Sequence, residues 1–205
     1  MDKRRFLIAY RLIFGLLTLS AIGVQFNISM GVGFSPVSFF SYFTNLSNVI
    51  VSLILIIAAF ALIQRRQPTE REDLIRGAGV VYITVVGLVY VVLLRGEDLG
   101  ALLPWINTQL HIVMPIVVIA DWLYQPPKSK LSLRSALVWL IFPLLYLVYS
   151  LVRGALIDWY PYPFLNPGVV GGYGAVALYC MAILAAFFVI SWAWITLGNR
   201  LKRRV

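Results

Sequence analysis

The sequence predicts an all-α, polytopic membrane protein with six transmembrane helices and both termini in the cytoplasm. Three observations predict it: the composition, six apolar runs of bilayer length, and the segregation of Lys and Arg between them. Of 205 residues, 61% are apolar and 12% charged, whereas a soluble domain averages about 25% charged residues. Mean hydropathy is +0.88, and a soluble core of this size has no room for so much apolar surface, so the excess must face lipid. A bilayer core of about 30 Å needs roughly 20 apolar residues per helix, and six segments meet this, at about residues 6–28, 37–63, 77–94, 105–124, 135–153 and 173–197. The period-two alternation of a transmembrane β-barrel is missing from these runs.

The first run follows a basic start, as a secretory signal would, but continues well past the roughly 7–15 residues of a signal h-region. It reads as a retained first helix. The breaks between runs fall at 27–36, 64–76, 95–104, 125–134 and 154–172 and carry turn and charge chemistry. None is long enough for a soluble domain, so residues 1–205 read as one six-helix transmembrane domain. Lys3, Arg4 and Arg5 precede the first run; Arg65, Arg66, Arg71 and Arg76 occupy the second break; Lys128, Lys130 and Arg134 the fourth; Arg200, Lys202, Arg203 and Arg204 the tail. With six spans all of these lie on one side, which the positive-inside rule makes cytoplasmic, in the cell (inner or plasma) membrane. Only Arg95 and Arg153 fall at the opposite ends, and Arg11 lies inside the first run.

The same totals exclude several functions. A net charge of +9 is read as a topology signal rather than a nucleic-acid footprint. A single cysteine, Cys180, and a single histidine, His111, exclude an intrachain disulfide framework, multi-cysteine metal sites and H-E-x-x-H zinc chemistry. GxSxG, GxGxxG and GxxxxGK[ST] runs are absent. No metal or cofactor is expected.

Polar residues at membrane depth carry the remaining information. The second run opens Phe40-Ser41-Tyr42-Phe43-Thr44-Asn45-Leu46-Ser47-Asn48. As one continuous helix it places Thr44 and Asn48 on a shared face with Ser41, and Asn45 on a neighbouring stripe with Ser41 and Ser52. Helix–helix glue is the bland account of such a run, and a polar cavity the functional one. In the fourth run, Pro115 removes the donor for the carbonyl four residues earlier, which belongs to His111, so a kink is expected at the only histidine. Thr44 and His111 each lie roughly 8–10 Å from the external ends of their helices at 1.5 Å per residue. They can therefore meet in the outer half of the membrane if those helices are neighbours. The fifth run aligns Tyr146, Tyr149, Ser150 and Arg153 on one stripe. Arg153 reads as a clamp for an anionic headgroup or carboxylate, or as a partner of Glu97, Asp98 or Asp158. Arg11 and Asp121 are expected to form a structural ion pair, and Asp158-Trp159-Tyr160-Pro161-Tyr162-Pro163-Phe164 an interfacial aromatic cap.

Three of these segments resemble a known group: Tyr42 to Asn48, the His111-x-x-x-Pro115 run ending in Asp121-Trp122, and Tyr160-Pro161-Tyr162-Pro163-Phe164. They are similar to bacterial six-helix membrane proteins, and through them to the androgen-induced and androgen-dependent transmembrane hydrolases of eukaryotes. That resemblance implies an intramembrane threonine hydrolase cleaving fatty-acid esters of hydroxy fatty acids, with the threonine and histidine roles falling on Thr44 and His111. On this reading His111 is the base, Thr44 the nucleophile, Asn48 or Asn45 an oxyanion donor, and Tyr149 and Arg153 further substrate contacts. The partners are membrane lipids or a lipid ester, with no nucleic acid. Two other readings stand beside it. A small-molecule transporter or non-catalytic lipid-binding protein predicts a polar path from face to face. A structural subunit predicts Thr44 and His111 turned toward different neighbours.

Overall fold

The computed structural model describes residues 2–96 and 101–202. Helix α1 spans Lys3–Gly31, α2 Pro36–Phe40, α3 Phe43–Ile63, and α4 Glu70–Val89 with a π-helical continuation, Tyr90–Leu94. Helix α5, Pro104–Thr108, passes through a π turn, Gln109–Val113, into α6, Met114–Tyr124. Then come α7 (Leu133–Ile157), a 3-10 turn at Pro163–Leu165, α8 (Pro167–Val170) and α9 (Tyr173–Lys202). The described residues contain no strand, and six helical stretches are long and apolar enough to cross a membrane. Glu97 and Asp98, named above as partners for Arg153, and Arg203 and Arg204 of the basic tail lie outside the described residues.

Helix α3 packs between α1 and α4, and α4 also packs on α6 and α9. Half of the most apolar stretch of α4 and 56% of that of α5–α6 are buried, against 17% for α9. The inner layer is therefore α4 with α5–α6, around Val80, Val81, Ile83, Met114, Trp122 and Trp139. The start of α1 lies against the end of α3, where Arg4 Nε donates to the Leu62 carbonyl (2.8 Å). Lys3 sits over the Tyr124 ring at the end of α6, and Asn199 of α9 exchanges hydrogen bonds with the Leu131 backbone before α7. These contacts gather the basic residues at one end of the bundle. Arg11 and Asp121 form the expected ion pair (2.6 Å), and Arg76, read above as a mere topology marker, joins it (3.0 Å).

Three of the differences from the sequence reading bear on how the chain is built. The third span begins seven residues early, at Glu70, because Thr69 and Glu72 form a capping box that satisfies the first free N–H groups. The fifth runs past Arg153 to Ile157 and stops where Asp158 turns left-handed (φ 51°). The second span is broken rather than continuous. Ser35 caps α2 and Pro36 opens it, Ser41 closes it, and Tyr42 is extended (φ −81°, ψ 124°), so α3 starts only at Phe43. Ser41 therefore does not share a helix face with Thr44 and Asn48. Side chains satisfy the carbonyls freed at the break. Ser41 Oγ donates to Val37 O (2.7 Å), Asn45 Nδ2 to Phe39 O (2.8 Å), and Tyr146 Oη to Ser41 O (2.8 Å).

Candidate active site

The break in the second span makes Thr44 the second residue of α3 instead of a mid-helix one. The N–H groups of a helix's first turn have no partner within the helix. The Thr44 N–H donates instead to the Tyr162 hydroxyl (3.2 Å), which comes from the segment between α7 and α9. The Thr44 side chain is buried, with Oγ1 3.2 Å from His111 Nε2 and 3.3 Å from Tyr162 Oη.

His111 reaches Thr44 because it sits in the π turn, which carries one residue more than an α turn and so re-aims the side chains around it. In this i→i+5 register Met114 N–H bonds Gln109 O. The carbonyl deprived by Pro115 is therefore that of Leu110, not that of His111 as the sequence reading expects. Asn48 Nδ2 donates to it (3.2 Å) and to Thr44 O (2.9 Å). Gly87 of α4 admits the bend: a Cβ there would stand 3.2 Å from Pro115 Cγ and 3.5 Å from His111 O.

The tautomer of His111 follows from its partners. Nδ1 lies 3.1 Å from the Asn107 carbonyl, which can only accept, so Nδ1 carries the proton. In the neutral ring Nε2 is then a bare lone pair facing the Thr44 hydroxyl. Tyr90 stacks on the imidazole (centroids 4.4 Å apart, planes at 23°) and accepts a hydrogen bond from Asn107 Nδ2 (3.0 Å). The ring is thus held at its edge and on its face.

Thr44, Tyr146 and Tyr162 stand at the polar end of an otherwise apolar cavity of about 930 Å³, counted to its open side. Val85 and Val89 of α4, Leu140 and Leu147 of α7, and Ile183, Leu184 and Phe187 of α9 line it. Leu144 and Met181 line it too while remaining 44% and 56% exposed, so it opens sideways between α7 and α9, on surface that is apolar.

Of the six sequence-nominated residues only Thr44 lines this cavity; His111 reaches it through Thr44, and the other four are engaged elsewhere. Both Asn48 donors serve backbone carbonyls, and Asn45 bridges the α2–α3 break. Tyr149 Oη lies 2.8 Å from Ser41 Oγ, and Arg153 donates to Ser38 Oγ (2.9 Å) with its guanidinium over Trp159. The tyrosine–arginine stripe of α7 thus holds α2 in place. The sequence reading missed Tyr162, Tyr90 and the Asn107 carbonyl. Only Tyr162 carried a signal, lying between Pro161 and Pro163, whose fixed φ angles stiffen the segment. Its phenol is buried, and burial pushes its pKa up to about 12. It therefore keeps its proton and acts as a donor.

No protein-family model, curated protein or solved structure matches the chain.

Proposed function

We propose that this protein is an intramembrane hydrolase of fatty-acyl esters, with Thr44 as nucleophile and His111 as general base. The observation that carries the reading is the directed chain from Thr44 Oγ1 to His111 Nε2 (3.2 Å) and from Nδ1–H to the Asn107 carbonyl (3.1 Å). It presents an unprotonated nitrogen to a buried hydroxyl and fixes the ring by its other nitrogen, the arrangement that activates a weak nucleophile. Oγ1 attacks the acyl carbonyl as its proton passes to Nε2. Collapse of the tetrahedral intermediate expels the alcohol, which takes that proton and leaves an acyl-threonine. Water, deprotonated by Nε2, then releases the acid and restores Thr44. A backbone carbonyl occupies the place a carboxylate takes in a catalytic triad.

The apolar cavity suits the acyl chain, and its lateral mouth suits entry from lipid. The resemblance of the Tyr42–Asn48, His111–Trp122 and Tyr160–Phe164 segments to the androgen-induced and androgen-dependent hydrolases supports the same chemistry, with esters of hydroxy fatty acids as the substrate class. We read the basic end and both termini as cytoplasmic, and Thr44 and His111 as lying in the outer half of the cell membrane, a reading the clustered Lys and Arg support. Along α3 and α6 the buried Val51, Leu55 and Val118 separate the Thr44–Asn48 region from the Arg11–Asp121 pair, which favours hydrolysis over a transport path.

The test is acyl release from a panel of lipid esters by purified protein. Thr44→Ala and His111→Ala are each expected to lower kcat on the order of 10³-fold or more. A fluorophosphonate probe should label the wild type at Thr44 and leave Thr44→Ala unmodified. Full turnover by folded Thr44→Ala protein rejects the assignment.

A further inference from the structure

We propose that Tyr162 is the oxyanion donor of this site, its hydroxyl turning from Thr44 Oγ1 to the substrate carbonyl oxygen as that oxygen becomes anionic. The inference rests on the Thr44–His111 reading and adds a catalytic residue to it.

The hydrogen-bond directions around Thr44 leave one consistent arrangement. His111 Nε2 is an acceptor, so the Thr44 hydroxyl donates to it. Tyr162 Oη accepts from the Thr44 N–H (3.2 Å), and its own proton then has Thr44 Oγ1 within reach (3.3 Å). The polar chain runs Tyr162 to Thr44 to His111 to the Asn107 carbonyl, each donor facing one acceptor. Tyr146, the other phenol at this end of the cavity, has its proton engaged with Ser41 O (2.8 Å). Tyr162 is thus the phenol whose proton faces the reacting oxygen.

Attack alters that arrangement in a defined way. When Oγ1 bonds to the acyl carbon and its proton passes to Nε2, Oγ1 becomes an ether-type oxygen and a weaker acceptor, while the carbonyl π pair moves onto the carbonyl oxygen and makes it the stronger one. In the adduct that oxygen shares its carbon with Oγ1, the atom that Tyr162 Oη already stands beside (3.3 Å), which brings it within the hydroxyl's reach. The Thr44 N–H, at the positive end of α3, keeps its bond to Tyr162 Oη as the hydroxyl proton turns, which makes that phenol a stronger donor. A preorganised donor then meets the charge in an apolar cavity, where such donors act most strongly. The phenol transfers no proton; its raised pKa keeps it protonated throughout. The ring cannot drift, because it stacks on Phe164 (5.1 Å, 6°), meets Tyr42 edge-on (5.7 Å), and is set between two prolines.

The decisive variant is Tyr162→Phe, which removes one oxygen and keeps the ring. In purified full-length protein it is expected to lower kcat about 10²–10³-fold, as loss of one oxyanion donor does, with KM within threefold of wild type. Affinity for a trifluoromethyl ketone, which forms the tetrahedral adduct, should fall in parallel, while binding of the matching ether lipid stays unchanged. A kcat within threefold of wild type, in a preparation that Thr44→Ala inactivates, overturns the role of Tyr162 and leaves the Thr44 reading standing. Turnover that survives Thr44→Ala removes the reading and this proposal together. If Tyr162→Phe does not fold, 3-fluorotyrosine at position 162 decides. Its more acidic phenol should change kcat at constant KM, and an unchanged kcat overturns the proposal.

Discussion

Asp121 shows what a single buried side chain does for this fold. Its carboxylate receives Arg11 through Nε (2.6 Å) and Nη2 (3.1 Å), and Arg76 through Nη2 (3.0 Å). Arg11, Arg76 and Asp121 are 2%, 6% and 4% exposed; Arg11 depends on that carboxylate for compensation, whereas Arg76 also has the buried Asp73 carboxylate 3.9 Å away. Buried charges are costly alone, and breaking such a pair costs about 3–5 kcal/mol. Asp121→Asn is therefore expected to lower the thermal unfolding midpoint of the detergent-solubilised protein sharply. An unchanged midpoint would mean that Gln125 and the nearby carbonyls suffice for both guanidinium groups. The His111 arrangement has a residue-scale consequence of a different kind. Its orienting acceptor is the Asn107 backbone, which no side-chain substitution removes, whereas the Asn107 amide only steadies Tyr90.

At the scale of elements, two irregularities build the site: the break before α3 and the π turn before α6. The first places Thr44 at a helix start, with free N–H groups around it. The second aims His111 at Thr44 and hands the Leu110 carbonyl to Asn48. Gly87 is the point where α4 yields to the bend, since Pro115 already stands in contact range of the missing Cβ. Gly87→Leu is expected to push α6 outward and part His111 from Thr44, lowering kcat at least tenfold in protein that still purifies as a folded species. Probe labelling of Thr44 would follow the displacement, and wild-type kcat would show that the helix pair has slack.

On the scale of the whole molecule, the peripheral position of α9 is what leaves the cavity open to the side. Seventeen per cent of its most apolar stretch is buried, so α9 stands at the edge of the bundle, and the space it leaves against α4 and α7 is the cavity. Cavity depth should set acyl-chain preference. Leu140 and Leu147, or Leu184 and Phe187, lie about 10 Å or less apart along their helices at 1.5 Å per residue, a length that suits a chain of moderate size. Leu184→Trp is expected to reduce turnover of long-chain esters at least tenfold more than that of short-chain ones. Equal losses across a chain-length series would place the acyl group outside this cavity.

Composition and the spacing of apolar runs were sufficient for the all-helical, six-span architecture, because lipid leaves a chain few ways to satisfy its backbone. The pairing of Arg11 with Asp121 was legible too, since an ionisable side chain at that depth needs a counter-charge. Thr44 and His111 stood out as polar groups in apolar runs, but their separation of 67 positions in the chain left their meeting undecided. Tertiary structure alone decided that α3 starts one residue before the nucleophile, that a π turn re-aims the imidazole, and that Tyr162 returns from a distant segment to cover Thr44. The reason is physical: periodicity reports which residues leave water, whereas the direction a side chain takes depends on helix breaks and on the partner that claims each freed carbonyl.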